Sequence, residues 1–133
     1  MRPLMRQVHA WLAWLFVVAI VVQVFLAGLA IPQLGGNGSF VTHRDFGYLI
    51  GPLALLLLFA AFLAGAGRRR IGQAAGLLGL YVVQSVLPYM DPALPAAAAL
   101  HPVNALLMFW LGIWYARAVW RERDATASST AMA

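Results

Sequence analysis

The chain contains no cysteine, and this absence excludes three kinds of structure. It can form no disulfide, no thiolate-ligated metal site and no Cys-x-x-Cys-His attachment of a c-type haem. Any bound cofactor is therefore held noncovalently.

Charge is also scarce. Only 10% of the 133 residues are charged, 63% are hydrophobic, and the mean hydropathy is +0.82, which is far from the mix of a soluble domain. A helix needs about 20 apolar residues to cross the hydrocarbon of a bilayer. Four stretches meet that length, near residues 8–31, 43–66, 72–90 and 101–120. The composition therefore predicts an all-α, integral membrane, antiparallel four-helix bundle.

This bundle uses residues 1–123. The segment 124–133 consists mainly of Ala, Ser and Thr, lacks core-forming side chains and is predicted to be a disordered cytoplasmic tail. The first stretch resembles a secretory signal, with small residues at 27–30. Its apolar run over 10–31 is longer than the roughly 7–15 residues of a signal core, which favours a retained span.

Arginine supplies all nine basic side chains, and their placement predicts the topology. Arg44 is the only arginine beside the connections between spans one and two and between spans three and four. The other eight lie at the opposite ends: Arg2, Arg6, Arg68, Arg69, Arg70, Arg117, Arg121 and Arg123. The positive-inside rule then places both termini in the cytoplasm of a multi-pass protein of a bacterial cytoplasmic membrane. The isoelectric point of about 10.8 reflects these arginines, which flank the spans beside the lipid bilayer. Nucleic acid is therefore not an expected partner.

A histidine opens the second stretch. Thr42 and Asp45 have the spacing of a capping box, which puts His43 in the first helical turn. Gly47 and Gly51 follow on the same face, one and two turns further along. The pattern predicts an imidazole above a strip of bare backbone, against which a flat molecule could lie.

The fourth stretch repeats this arrangement. Pro102 suits a first helical turn, so His101 lies at the helix start. Ala105 and Met108 come next on the same face. Two helices therefore carry a histidine at the same end, which the arginine pattern places in the outer half of the membrane.

These two histidines suggest a haem site. The second and fourth helices of such a bundle are diagonal and roughly 11–14 Å apart, so two inward imidazoles can meet a metal between them. We expect one haem b per chain, with His43 and His101 as iron ligands and Arg44 as partner of a propionate. The predicted cofactor-binding set is His43, His101, Arg44, Gly47, Gly51, Gln84, Asn104, Ala105 and Met108. Gln23, Gln84 and Asn104 are expected to donate hydrogen bonds around the ligands.

Other interpretations of the histidines remain open. Neutral imidazole also binds copper or zinc, with Asp45 and Asp91 as the nearest carboxylates. Both histidines could instead be interfacial residues, as we expect for His9 near the other end of the bundle. The Gly47-x-x-x-Gly51 spacing is equally typical of helix packing without a cofactor.

Three motifs resemble a known family: His43-Arg44 at the start of span two, Gln84 late in span three, and His101 with Asn104 at the start of span four. Together they resemble one four-helix half of the haem A synthases of cytochrome oxidase assembly. They are also similar to small uncharacterised bacterial four-span proteins. In the synthases, paired histidines opening the second and fourth helices ligate haem, and the resemblance implies this role for His43 and His101.

The chain also departs from that family. Phe40 stands where the synthases have a glutamate, the second half is absent, and the outer loop has no cysteine pair. We therefore do not expect haem A synthesis by one chain, although a homodimer could imitate eight spans. The resemblance and the motifs favour electron transfer with a redox partner in the membrane, or haem handling. A minimal haem oxidoreductase, and a cofactor-free membrane subunit for transport or assembly, are the alternatives.

Overall fold

The computed structural model describes residues 2–91 and 93–131, and this part of the chain contains helices and no strand. The all-α prediction is thus confirmed. The elements in chain order are α1 Arg2–Ala30, α2 Val41–Leu63, α3 Arg68–Val86, α4 Pro95–Ala98 and α5 Leu100–Ala131, with 3₁₀ turns at Pro32–Leu34 and Leu87–Met90.

Four helical segments are long and apolar enough to cross a membrane: Arg2–Ala30, Val41–Leu63, Arg68–Met90 and Pro95–Ala125. They correspond in order to the four predicted spans, and the first and last extend beyond the predicted limits. The helical backbone of α5 continues to Ala131, whereas the sequence predicts disorder over 124–133. Residues 132 and 133 of that tail lie outside the described residues.

The four long helices form a square in which each one packs against two others. Helix α1 packs against α2 and α5, and α3 also packs against α2 and α5. Helices α2 and α5 are therefore diagonal, as predicted for the two that carry the histidine pair. Alanine is common in the core, and such small side chains let helices approach closely.

The first turn of α2 differs from its prediction. The helix begins at Val41 after Phe40, and no side chain caps it. The predicted capping box is wrong because the helix begins before Thr42, which therefore lies inside the first turn and is not the N-cap. The Asp45 carboxylate instead accepts hydrogen bonds from the Arg44 guanidinium at 2.9 and 3.0 Å. His43 is nevertheless in the first turn.

The segments before the two histidines are built differently. His43 follows an irregular connection in which Gly35 and Gly38 have positive φ angles of 89° and 79°, a conformation that favours glycine. His101 follows the short helix α4, and only Ala99 separates α4 from α5. The Ala99 N–H donates to the Pro95 carbonyl of α4 at 2.9 Å. The chain entering α5 is thus already helical.

Candidate functional site

His43 and His101 meet at one end of the bundle, although they come from diagonal helices. Their ring centroids are 6.1 Å apart and the rings are inclined by 73°. We call this end of the bundle the paired-histidine end. Both side chains lie at the start of a helix, and both rings point inward to the space between the four helices.

Each of the two imidazoles donates a hydrogen bond from Nδ1 to a backbone carbonyl. The His43 bond to the Gln23 carbonyl is 2.9 Å long, and the His101 bond to the Gln84 carbonyl is 3.1 Å long. A carbonyl oxygen only accepts, so the Nδ1 atom of each ring carries the proton. Both imidazoles are thereby held in the tautomer whose Nε2 atom is unprotonated and can accept a bond.

The Nε2 atoms face the side-chain amides of the same two glutamines. Gln23 Nε2 lies 3.3 Å from His43 Nε2, and Gln84 Nε2 lies 3.2 Å from His101 Nε2. An amide nitrogen donates, which agrees with an accepting lone pair on Nε2. One glutamine thus contacts both nitrogens of each histidine, and the two halves of the site repeat one design.

The glutamine amides differ in how they are supported. Asn104 donates to the Gln84 Oε1 atom at 2.7 Å and to the Leu80 carbonyl at 3.0 Å, so the Gln84 amide is held on both sides. Gln23 Nε2 also donates to the His43 carbonyl at 2.8 Å. Gln23 Oε1, by contrast, is the only buried side-chain oxygen or nitrogen without a partner in the described ranges 2–91 and 93–131.

A cavity of about 620 Å³ lies beside the two imidazoles. This volume is in the range of cofactor and small-molecule sites, about 300–1,000 Å³. Seven of the nine predicted site residues line it: His43, Arg44, Gly47, Gln84, His101, Ala105 and Met108. Asn104 and Gly51 do not, because Asn104 lies behind Gln84 and Gly51 is covered by the Tyr81 ring.

The prediction of a bare glycine strip is therefore wrong in part. A Cβ atom on Gly51 would lie 2.6 Å from the Tyr81 ring, and one on Gly47 would lie 2.8 Å from Gln23 Nε2. Gly51 lets α3 approach α2 below the cavity, which is a packing role. Gly47 both lines the cavity and makes room for the Gln23 amide.

Sequence reasoning missed the aromatic part of the lining. Four aromatic side chains border the cavity: Phe40, Tyr48, Tyr81 and Tyr89. The Tyr48 hydroxyl on α2 lies 2.9 Å from the Tyr89 hydroxyl on the 3₁₀ turn that follows α3. Their spacing along the chain has no common period, so only the packing of the helices brings them together.

The charged groups near the site do not extend the set of metal ligands. Asp45 pairs with Arg44, whose side chain is 55% exposed. No group of three or more His, Cys, Asp or Glu side chains capable of holding a metal ion occurs within the described residues. A bare copper or zinc ion would thus find only the two imidazoles, whereas such ions usually take three or four protein ligands.

The third histidine has a different environment at the opposite end of the bundle, which we call the His9 end. His9 is only 3% exposed, and its Nε2 atom lies 2.6 Å from the hydroxyl of Tyr115, which is 1% exposed. The position of His9 at a membrane interface stays a prediction, but its side chain is buried within the bundle because its face of α1 packs against α5.

The His9 end also holds a buried cation. The Arg70 side chain is 9% exposed and pairs with Glu122 at 2.7 Å. A cavity of about 140 Å³ lies between His9, Arg6 and Glu122. This cavity is smaller than the usual ligand site of about 300–1,000 Å³ and too small for a planar cofactor.

Comparison with known proteins gives one match. The model of a family of unknown function (DUF6220) matches residues 23–90, which is just over half of the chain. The matched range begins at Gln23 and includes His43 and Gln84. No curated protein and no solved structure matches the chain.

Proposed function

We propose that this chain, which belongs to the DUF6220 family, is a membrane b-type haem protein with bis-histidine ligation. His43 and His101 would ligate the iron through Nε2, one haem per chain. The role we propose is electron transfer or haem handling in the membrane.

The observation that carries the proposal is the state of the two imidazoles. Metal-ligating histidines almost always donate their other ring nitrogen to a carbonyl, a carboxylate or water. His43 and His101 both donate Nδ1–H to a backbone carbonyl, at 2.9 and 3.1 Å. Each Nε2 atom is thus unprotonated, and a metal would take the place of the glutamine amide that donates to it at 3.3 or 3.2 Å.

The separation of the rings supports the same conclusion. A metal–imidazole bond is about 2 Å long and the nitrogen lies about 1 Å from the ring centre, so two imidazoles on one metal have centroids about 6 Å apart. The observed separation is 6.1 Å. Within the described residues there is no third ligand of the His, Cys, Asp or Glu type, which favours haem, whose porphyrin supplies the other ligands, over a bare ion.

The surrounding residues fit a large, mainly apolar cofactor. The cavity of about 620 Å³ is bordered by aromatic side chains and by Ile50 and Met108, which would exclude water. Arg44 lines the same cavity and would bind a haem propionate by charge. Haem supplies a one-electron couple, and two strong axial ligands leave no open position for oxygen, which favours electron transfer.

The arginine distribution supports a location in a bacterial cytoplasmic membrane. Eight of the nine arginines lie near the His9 end by sequence order, and the Arg6 guanidinium contacts the carbonyl of Ala64 at the end of α2. The positive-inside rule then places the His9 end and both termini in the cytoplasm, and the haem near the outer face. The resemblance to one half of a haem A synthase is consistent with this arrangement, but Phe40 replaces the family's glutamate and we do not propose haem A synthesis.

A cofactor-free membrane subunit remains the second candidate, because a specific contact favours it. Gly51 packs directly against the Tyr81 ring, which is what a helix-packing motif does. In that case His43 and His101 would serve only to join the helices through Gln23 and Gln84. The two candidates predict different colours: the haem protein purifies red and the packing subunit colourless.

The test is a reduced-minus-oxidised visible spectrum of the detergent-purified chain, with a pyridine haemochrome assay for stoichiometry. We expect a sharp alpha band and about one haem per chain, as two axial imidazoles require. The double variant His43→Ala with His101→Ala should lose the haem and still insert in the membrane. His9→Gln, which changes the histidine at the other end, should keep it. A featureless wild-type spectrum after expression with ample haem would favour the packing subunit.

A further inference from the structure

We infer that the two ligands are not equivalent: His101 is the permanent ligand, and His43 is the one that gives way to a small exogenous ligand. This inference rests on the proposed function and deepens it. In the exchange, the coordinate bond from His43 Nε2 breaks and one from a lone pair of the incoming molecule forms. No electron or proton is transferred.

The first support is the difference between the two glutamine amides. Gln84 is held by Asn104 at 2.7 Å, and Asn104 is itself buried and bonded to the Leu80 carbonyl. This chain of hydrogen bonds fixes the side of the site occupied by His101. Gln23 Oε1 has no partner, so the amide beside His43 is held through its nitrogen alone.

The second support is the backbone that carries each histidine. The first turn of α2 has no side-chain cap, and Gly35 and Gly38 precede it in positive-φ conformations. The first turn of α5 instead follows helix α4 with only Ala99 between the two helices. Local opening concentrates at uncapped helix ends beside irregular segments, which assigns the easier movement to His43.

The third support is what would remain when the His43 ring moves away. Gln23 Nε2 donates to the main-chain carbonyl of His43 at 2.8 Å, and this bond holds the backbone without holding the ring. The free Gln23 Oε1 atom would then accept a hydrogen bond from the incoming ligand. A buried acceptor without a partner is costly, so the site favours small molecules that offer a lone pair to the metal and an N–H or O–H to Gln23.

Carbon monoxide binding to the reduced protein tests which ligand leaves. We expect wild type to bind carbon monoxide slowly, limited by departure of His43. His43→Ala should retain haem and bind carbon monoxide at least about tenfold faster, whereas His101→Ala should lower haem affinity by about tenfold or more. His9→Gln should behave as wild type. The inference fails if the two alanine variants behave alike or in the opposite order.

Hydrogen exchange of the haem-free wild-type chain gives an independent readout. Amides of peptides covering 38–48 should exchange about tenfold faster than those covering 97–107. Equal protection would overturn the inference even if haem binds. A chain that takes up no haem would overturn the proposed function and this inference together, whereas a red protein with equivalent ligands would overturn the inference alone.

Discussion

The two ends of the bundle use histidine in opposite ways. At the paired-histidine end, His43 and His101 donate Nδ1–H to backbone carbonyls, and each Nε2 atom accepts only a long bond of 3.2–3.3 Å from a glutamine amide, next to a cavity of about 620 Å³. At the His9 end, the Nε2 atom of His9 is already occupied by the Tyr115 hydroxyl at 2.6 Å. The adjoining cavity there is only about 140 Å³.

This difference shows that burial alone does not identify a ligand. His9 is the most buried of the three histidines, yet it joins α1 to α5 as a structural hydrogen bond. The paired histidines are less buried and border open space. An unprotonated Nε2 atom beside a cavity of cofactor size, with Nδ1–H bonded to a carbonyl, is the feature that separates a candidate ligand from a structural histidine.

The largest expected effect concerns the contact below the cavity. Gly51→Ala should destabilise the bundle by about 1–3 kcal/mol, because its Cβ would press on the Tyr81 ring, 2.6 Å away. The measurement is the free energy of unfolding in detergent. Gly79→Ala is the matched control, since nothing lies within 4 Å of its Cβ position. Equal losses for both variants would show that the Gly51 contact is not tight.

The next effect tests the structural role of the His9 end. Tyr115→Phe should cost about 1–2 kcal/mol of unfolding free energy, because it leaves a buried ring nitrogen of His9 without its partner. Haem content should not change. Replacing both partners, His9→Leu with Tyr115→Phe, should recover most of the loss, since neither polar group then remains. A fall in haem content in Tyr115→Phe would contradict the separation of the two ends.

The smallest effect concerns the exposed charge beside the cavity. Arg44→Gln should lower haem affinity by about two- to fivefold, as expected for a partly exposed ion pair, and the difference should shrink at high salt. Asp45→Asn should act in the opposite direction, because it frees Arg44 from its ion pair. Haem titrations of the two variants at low and high salt check this. The same affinity in both variants would remove Arg44 from the site.

Much of the site could be predicted because helical periodicity is a local property. His43 with Gly47, and His101 with Ala105 and Met108, lie on one face by spacing alone, and these residues do line one cavity. The amide of Gln84 is expected near the histidines because it lies late in span three, toward the same end of the bundle. The ligand role of the two histidines stays a prediction that the spectrum will test.

Other features could not be predicted because they depend on how neighbouring helices are rotated. Nothing in the spacing of α1 shows that His9 faces Tyr115, which lies 106 residues away in the chain. Nor does it show that the Gln23 backbone carbonyl, rather than a side chain, accepts the hydrogen bond from His43 Nδ1. The predicted capping box is wrong because α2 begins at Val41, so Thr42 is not at the N-cap position.

By itself, the sequence determined the four apolar helices, their order and the presence of a histidine at the start of two of them. Length and hydropathy suffice for this, because a membrane-spanning helix satisfies its own backbone hydrogen bonds. Only the tertiary structure decided which ring nitrogens donate to carbonyls, which glycine is covered and which amide oxygen has no partner. Those properties depend on contacts between helices, and the same spacing along each helix is compatible with many rotations about its axis.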